Sequence, residues 1–228
     1  MKPESLKSFI YIYYFLRSVT LRGLLNTLRL FRAELREEKR FGIRTSAFRE
    51  SNSKEFFHYQ GASYLVLSRI FSEIKETRGF EFVDIGCGMG RVIFVAESEG
   101  YNRLLGIELR EELLAEARQN ENRYRLRRAG SEIRFVQANA IGYAYEDRPA
   151  VYFLFNPFNG QVLEEVLSAI CRSTRSETWF VYMNPLFPEP FDRPGVERVR
   201  TVKTRFYKEA FIYVMNRKDR GAEAQRSS

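Results

Sequence analysis

Histidine, cysteine and tryptophan are nearly missing from this sequence, whose 228 residues hold one His, two Cys and one Trp. A hydrolase built on a histidine base would have to use His58, and no Gly-x-Ser-x-Gly elbow accompanies it. Cys87 and Cys171 stand too far apart in sequence to suggest a disulfide framework, and nothing spaces metal ligands. A reducing, cytoplasmic setting and a chemistry without metal are therefore expected. The apolar and aromatic run from Phe9 to Leu16 is far shorter than the ~20 residues that cross a bilayer, and it lacks a small-residue cleavage site, so a signal peptide is not expected. Internal repeats are absent.

An excess of acid is missing too. The net charge is +8, and its distribution says more than its size. Residues 1–50 hold eleven Lys or Arg against five acids, and residues 216–228 hold four against two. The stretch between them, 51–215, balances 22 basic against 22 acidic residues. An anionic partner would thus be met by the N-terminal segment before the central domain.

What is present is a folded composition, with 44% apolar and 15% aromatic residues. Within it, Val83-Asp84-Ile85-Gly86-Cys87-Gly88-Met89-Gly90-Arg91 is an apolar strand that ends in an acid and runs into alternate glycines. Such glycines let the chain turn sharply out of a strand and let backbone N–H groups approach a ligand at a helix N-terminus. A dinucleotide loop wants its third glycine three positions after the second, where this chain has Arg91. Eighteen residues past Gly90, the strand Leu104 to Glu108 ends in a carboxylate, the group that accepts from ribose hydroxyls in α/β nucleotide sites. A third strand, Ile133 to Gln137, leads to Asn139-Ala140, and a fourth, Val151 to Phe155, ends in Asn156-Pro157-Phe158.

In order and spacing, these features over residues 56–215 resemble the class I S-adenosylmethionine (AdoMet)-dependent methyltransferases. The resemblance implies a Rossmann-like α/β fold: a seven-stranded, mostly parallel sheet with helices on both faces and an antiparallel last strand. It implies AdoMet as cofactor, with Gly86, Cys87, Gly88 and Gly90 holding its methionine end and Asp84 serving the ammonium group. Glu108 would take the ribose hydroxyls, Leu109 and Ala140 would flank the adenine, and Asn139 would meet the adenine amino group in place of the family's usual acid. Cys87 reads as a small residue beside the cofactor, not as a nucleophile. Asn156, where the methyl should point, is the catalytic candidate and also lines the cofactor site. Its Asn-Pro-Phe is one proline short of the Asn-Pro-Pro-aromatic motif of adenine and glutamine amide methyltransferases, and a plain strand-to-turn role competes. Gly88-Met89-Gly90-Arg91 also looks like the loop of Dot1-like lysine methyltransferases, in which a segment ahead of the first strand covers the cofactor. His58-Tyr59-Gln60 has that place, which makes Tyr59 a further cofactor-binding candidate. The competing reading of Arg91 is a surface residue in a first helical turn.

The acceptor expected is a nitrogen or oxygen of a protein side chain or a small molecule, because 51–215 has no net charge to hold phosphates. The alternatives are an RNA or DNA base methyltransferase and an inactive AdoMet-binding scaffold. Three parts follow: a basic amphipathic helical extension with linker over 1–50, a methyltransferase domain over 51–215, and a disordered tail over 216–228. In the extension, Leu21, Leu24, Leu25, Leu28, Phe31 and Leu35 recur at helical spacing with Arg22, Arg29, Arg32 and Arg36 between them. That helix is expected to pack on the domain, to dimerise with a second copy, or to sit peripherally on an anionic membrane. Four prolines between 185 and 194 forbid a regular helix and read as a loop over the pocket.

Overall fold

The structure is a computed structural model, described here over residues 15–45, 61–204 and 207–215. Residues 15–22 are helical and lead through Gly23 into α1 (Leu24–Phe41). There follow α2 (Tyr64–Glu73), β1 (Glu81–Ile85), α3 (Arg91–Glu99), β2 (Arg103–Glu108), α4 (Glu111–Arg123), β3 (Glu132–Gln137), β4 (Ala150–Phe155), α5 (Gly160–Ser173), β5 (Thr178–Met183), β6 (Val196–Thr204) and β7 (Tyr207–Met215). The four apolar runs read from the sequence as strands are β1 to β4. The tail 216–228 and the linker from Ser46 lie outside the described residues.

The sheet has seven strands in the order β3-β2-β1-β4-β5-β7-β6. β1 pairs in parallel with both β2 and β4, while β7 runs antiparallel between β5 and β6. The strand order therefore reverses between β1 and β4, and at such a reversal the carboxyl ends of the strands leave an open crevice. Alternate residues of each strand face opposite sides. Phe82, Leu104, Phe153 and Val181 enter one core with α2 and α3, and Val83, Leu105, Leu154 and Phe180 enter the other with α5. On the second face, aromatic side chains from loops complete the layer. Phe191, in the proline-rich segment, stacks on Tyr213 at 4.2 Å between centroids, and Tyr145 meets Tyr152 edge-on at 5.6 Å.

α1 packs on the domain, but not through its leucine stripe. Phe41 stacks against Tyr64 and Tyr124, with Ile43 buried beside it, whereas Leu24, Leu25, Leu28, Phe31 and Leu35 are all exposed. The domain-facing side of α1 combines the buried Ala33 and Phe41 with carboxylates, which meet a buried cation, Arg91. Its guanidinium donates to Glu34 at 2.5 Å, to Glu38 at 3.2 Å, to the Thr45 hydroxyl at 2.7 Å and to the Ala62 carbonyl at 2.8 Å, and it lies 4.5 Å above the Tyr64 ring. The surface reading of Arg91 is thereby corrected, since the residue is 2% exposed. Charge demanded this: a guanidinium taken out of water needs carboxylates, and α1 supplies two of them one turn apart.

Candidate cofactor site

The glycine run leaves β1 at the sheet's point of reversal. Gly86, Gly88 and Gly90 all have positive φ, at 77°, 53° and 84°. L side chains rarely adopt that conformation, and at Gly86 and Gly90 space forbids them as well. A Cβ on Gly86 would lie 2.8 Å from Pro157, and one on Gly90 would lie 2.9 Å from the Phe135 and Phe94 rings. The turn is fastened to its neighbour strand by two N–H groups, of Gly86 and Cys87, that donate to the Ile107 carbonyl at 2.8 and 3.0 Å. A glycine inside β2 makes this approach possible. At Gly106 a Cβ would stand 2.7 Å from Phe135 and 2.8 Å from the Cys87 sulfur. Sequence reasoning passed over Gly106, although a glycine within an apolar strand signals close approach.

Two carboxyl groups meet at this turn. Glu108, at the end of β2, accepts from Gly88 N–H at 2.9 Å and from Arg110 N–H at 3.0 Å. Burial raises its pKa, and the N–H groups of Arg110, Gly88 and Leu109 pull it partway back. Asp84 is 2% exposed, and its Oδ2 has no hydrogen-bond partner. Burial, then the nearby Glu108 charge, pushes the Asp84 carboxyl well above the usual carboxylate range. Cys87 is buried near both, and burial together with both acids drives its thiol up, which leaves it a thiol and not a nucleophilic thiolate. A buried acid without a partner is costly by itself. It suits a ligand that brings a cation, while Glu108, held by two backbone donors, keeps acceptor capacity for hydroxyls.

Of the other predicted residues, Leu109, Asn139 and Ala140 follow the adjacent ends of β2 and β3. Ala138 N–H donates to the Glu108 carbonyl at 3.0 Å, which brings the end of β3 beside the end of β2. Leu109 is exposed there and Ala140 is buried. Asn139 is exposed and turns its amide oxygen to its own backbone, accepting from Ile141 N–H at 3.0 Å. Tyr59, with His58, lies outside the described residues. Among the described residues no group of three or more His, Cys, Asp or Glu is placed to hold a metal ion.

Asn156 ends β4 with φ 46°, and Asn184 ends β5 with φ 52°. They are the non-glycine residues of positive φ in the described chain, and each precedes a proline. Asparagine tolerates this region better than other side chains, so both strand ends are shaped locally. The Asn156 amide oxygen accepts from the Tyr182 hydroxyl at 2.9 Å, and the Asn184 amide oxygen accepts from the Tyr207 hydroxyl. Tyr182 in turn accepts from Phe187 N–H at 3.3 Å, joining the proline-rich loop to the end of β4. Sequence reasoning missed Tyr182, because an apolar strand residue gives no sign that its hydroxyl reaches a strand 26 positions earlier.

Residues 82–177 match the sequence model of the family described as methyltransferase domain. The fold is similar to that of an RNA methyltransferase from Salinibacter ruber in complex with S-adenosyl-L-homocysteine, at 14% identity and TM-score 0.52, over 69% of this chain and 95% of that one. It is also similar to magnesium protoporphyrin IX methyltransferase from Synechocystis with AdoMet bound, at 14% identity and TM-score 0.51, over 67% and 77% of the two chains. A third likeness, to a putative methylase from Haemophilus influenzae, has 15% identity and TM-score 0.51 over 66% and 99%. No curated protein matches the sequence.

Proposed function

We infer that this chain, a class I AdoMet-dependent methyltransferase by its matched domain and its sheet, methylates a neutral acceptor: a nitrogen or oxygen of a protein side chain or a small molecule. The observation that supports cofactor placement is the partnerless buried oxygen of Asp84 beside the glycine turn, with Glu108 fixed on Gly88 N–H. In this reading Asp84 meets the cofactor's ammonium group, Gly86 to Gly90 cradle its methionine end, and Glu108 accepts from its ribose. Leu109 and Ala140 flank the adenine, and Asn139 faces its amino group.

The sulfonium of AdoMet supplies an already activated methyl group, so the chain's work is to hold the acceptor in line and keep water out. Asn156, Phe158, Tyr182, Asn184 and Phe187 gather at the ends of β4 and β5 and carry no charge. These uncharged side chains support an uncharged acceptor, and the charges behind Asn184, Arg22 and Glu209, are paired with each other. The Tyr182 hydroxyl fixes the Asn156 side chain, which leaves one acceptor lone pair and the amide N–H groups to orient the nucleophile.

Transfer of labelled methyl from AdoMet into a cell extract, separated into protein, nucleic acid and small molecules, tests the acceptor. Label in the nucleic acid would replace this acceptor class by the base-methyltransferase alternative. Tight AdoMet binding with no transfer to any fraction would leave the scaffold alternative. On calorimetry, Glu108→Ala should weaken binding of AdoMet by ~10- to 100-fold, the worth of hydrogen bonds to a charged acceptor.

Asn156→Gly keeps the positive φ while removing the amide. Once the substrate is known, it is expected to lower single-turnover methylation ~10- to 100-fold through lost positioning, with AdoMet affinity little changed. An unaltered rate would assign Asn156 to the strand turn alone.

A further inference from the structure

Among the described residues no helix is long and apolar enough to cross a membrane. The N-terminal helices nevertheless turn outward what a soluble domain normally buries. Leu24, Leu28, Phe31 and Leu35 recur at steps of four, three and four and form one stripe along α1, with exposures of 53%, 45%, 62% and 63%; Leu25 beside them reaches 73%. Phe15 and Leu16 extend the exposed apolar surface into the preceding helical residues.

The fully exposed charges around this stripe are of one sign. Within residues 15–41 the exposed ionisable side chains are Arg17, Arg29, Arg32, Arg36, Lys39 and Arg40. The acids of the same stretch, Glu34, Glu37 and Glu38, are only partly exposed. Glu34 and Glu38 are turned to Arg91, and Glu37 lies between Arg36 and Arg40. Pairing with Arg91 thus removes two carboxylates from the outer surface and leaves it apolar and cationic.

We propose that this outward face of residues 15–41 seats the protein on an anionic lipid bilayer, with α1 lying in the plane of the headgroups. Leucine and phenylalanine enter the acyl boundary, while the long arginine stems reach back to lipid phosphates. Charge complementarity selects this occupant. A second copy would bring its own band of cations against the first, and a nucleic acid would satisfy the arginines but offer nothing to the leucines. Because Arg91 follows Gly90 directly, the docked helix is wired by its inner face to the start of α3 and hence to the glycine turn. The proposal is independent of the acceptor's identity.

Sedimentation of the full chain with vesicles tests it, using phosphatidylcholine alone against phosphatidylcholine and phosphatidylglycerol mixed at ~3:1. Binding is expected to be at least about tenfold stronger on the anionic vesicles and to weaken as salt is raised. Two variants, Leu28→Ser/Phe31→Ser and Arg29→Gln/Arg32→Gln/Arg36→Gln, should each lose about tenfold or more in partitioning. Both should keep the wild-type melting temperature, since every side chain changed is exposed. Equal pelleting on the two vesicle types, no pelleting, or an apolar variant that pellets like wild type would overturn the proposal. So would a lipid-free dimer, seen by ultracentrifugation, that the Leu28→Ser/Phe31→Ser change dissolves.

Discussion

Arg91→Met is expected to lower the stability of the folded chain by ~2–4 kcal/mol, a large share of what a domain of this size holds. The substitution roughly keeps the side-chain volume and removes the charge. It takes the cation from Glu34 and Glu38, which keep their bonds from Tyr64 and Thr45, and removes the donor from the Ala62 carbonyl and the Thr45 hydroxyl. Breaking a fully buried pair costs ~3–5 kcal/mol, and the lower range applies because the Glu34 and Glu38 side chains are 24% and 20% exposed. Burial already raises the pKa of Glu34 against the pull of Arg91. Without the guanidinium that carboxyl should rise further, so the variant's deficit should be largest at neutral pH and shrink as Glu34 takes up a proton in acid. Arg91→Lys should recover only part of the loss, since an ammonium cannot span these acceptors as a planar fork does. Urea unfolding at two pH values measures all three. A loss under about 0.5 kcal/mol for Arg91→Met would mean that α1 is held by Phe41, Ile43 and the Arg22–Glu209 pair ahead of it, and not by Arg91.

Asp84→Asn is expected to separate stability from cofactor binding, raising the first and lowering the second. The sign follows from proton linkage. The folded-state pKa of Asp84 is raised, so above the ordinary carboxylate range the folded protein keeps a proton that the unfolded chain has released. Stability from this group is complete below the unfolded value and is lost as pH climbs towards the folded one; Glu108, also raised, acts in the same direction. Asparagine has no proton to lose there. The variant should therefore match wild type near pH 4 and exceed it near pH 8 by about 1 kcal/mol or more, a gain of ~2–4 °C in melting temperature. AdoMet should stabilise wild type more at pH 8 than in acid, because only an ionised Asp84 attracts an ammonium group, and the variant should lose ~10- to 100-fold in affinity. Melting curves with and without AdoMet across that pH range decide it. A variant that melts below wild type at pH 8, or that binds AdoMet as tightly, would remove Asp84 from this role.

Much of the candidate cofactor site is legible in the sequence because its signals are local. Alternate glycines prescribe positive φ wherever they stand, and an acid at the last position of an apolar strand ends at the carboxyl edge of a parallel sheet. Gly86, Gly88, Gly90 and Glu108 were found that way, and they do meet: Gly88 N–H touches the Glu108 carboxylate. The proposed acceptor rim is less legible. Asn156 stood out before its proline, but its partner Tyr182 sits in an unbroken apolar strand, where a hydroxyl gives no periodic signal.

The sequence by itself determined the elements: which runs are strands, which are helices, where the turn to α3 must fall, and that one face of α1 is apolar. Backbone sterics and side-chain periodicity act within a few residues, so neighbours in the chain suffice to specify them. Only the tertiary structure decided which face of α1 meets the domain. Periodicity marks a leucine stripe but cannot say where it points, and the answer came from Arg91, 57 positions from Glu34, whose burial had to be answered by carboxylates. The pairing of a desolvated charge with its carboxylates exists only once distant segments have come together, so no local pattern could announce it.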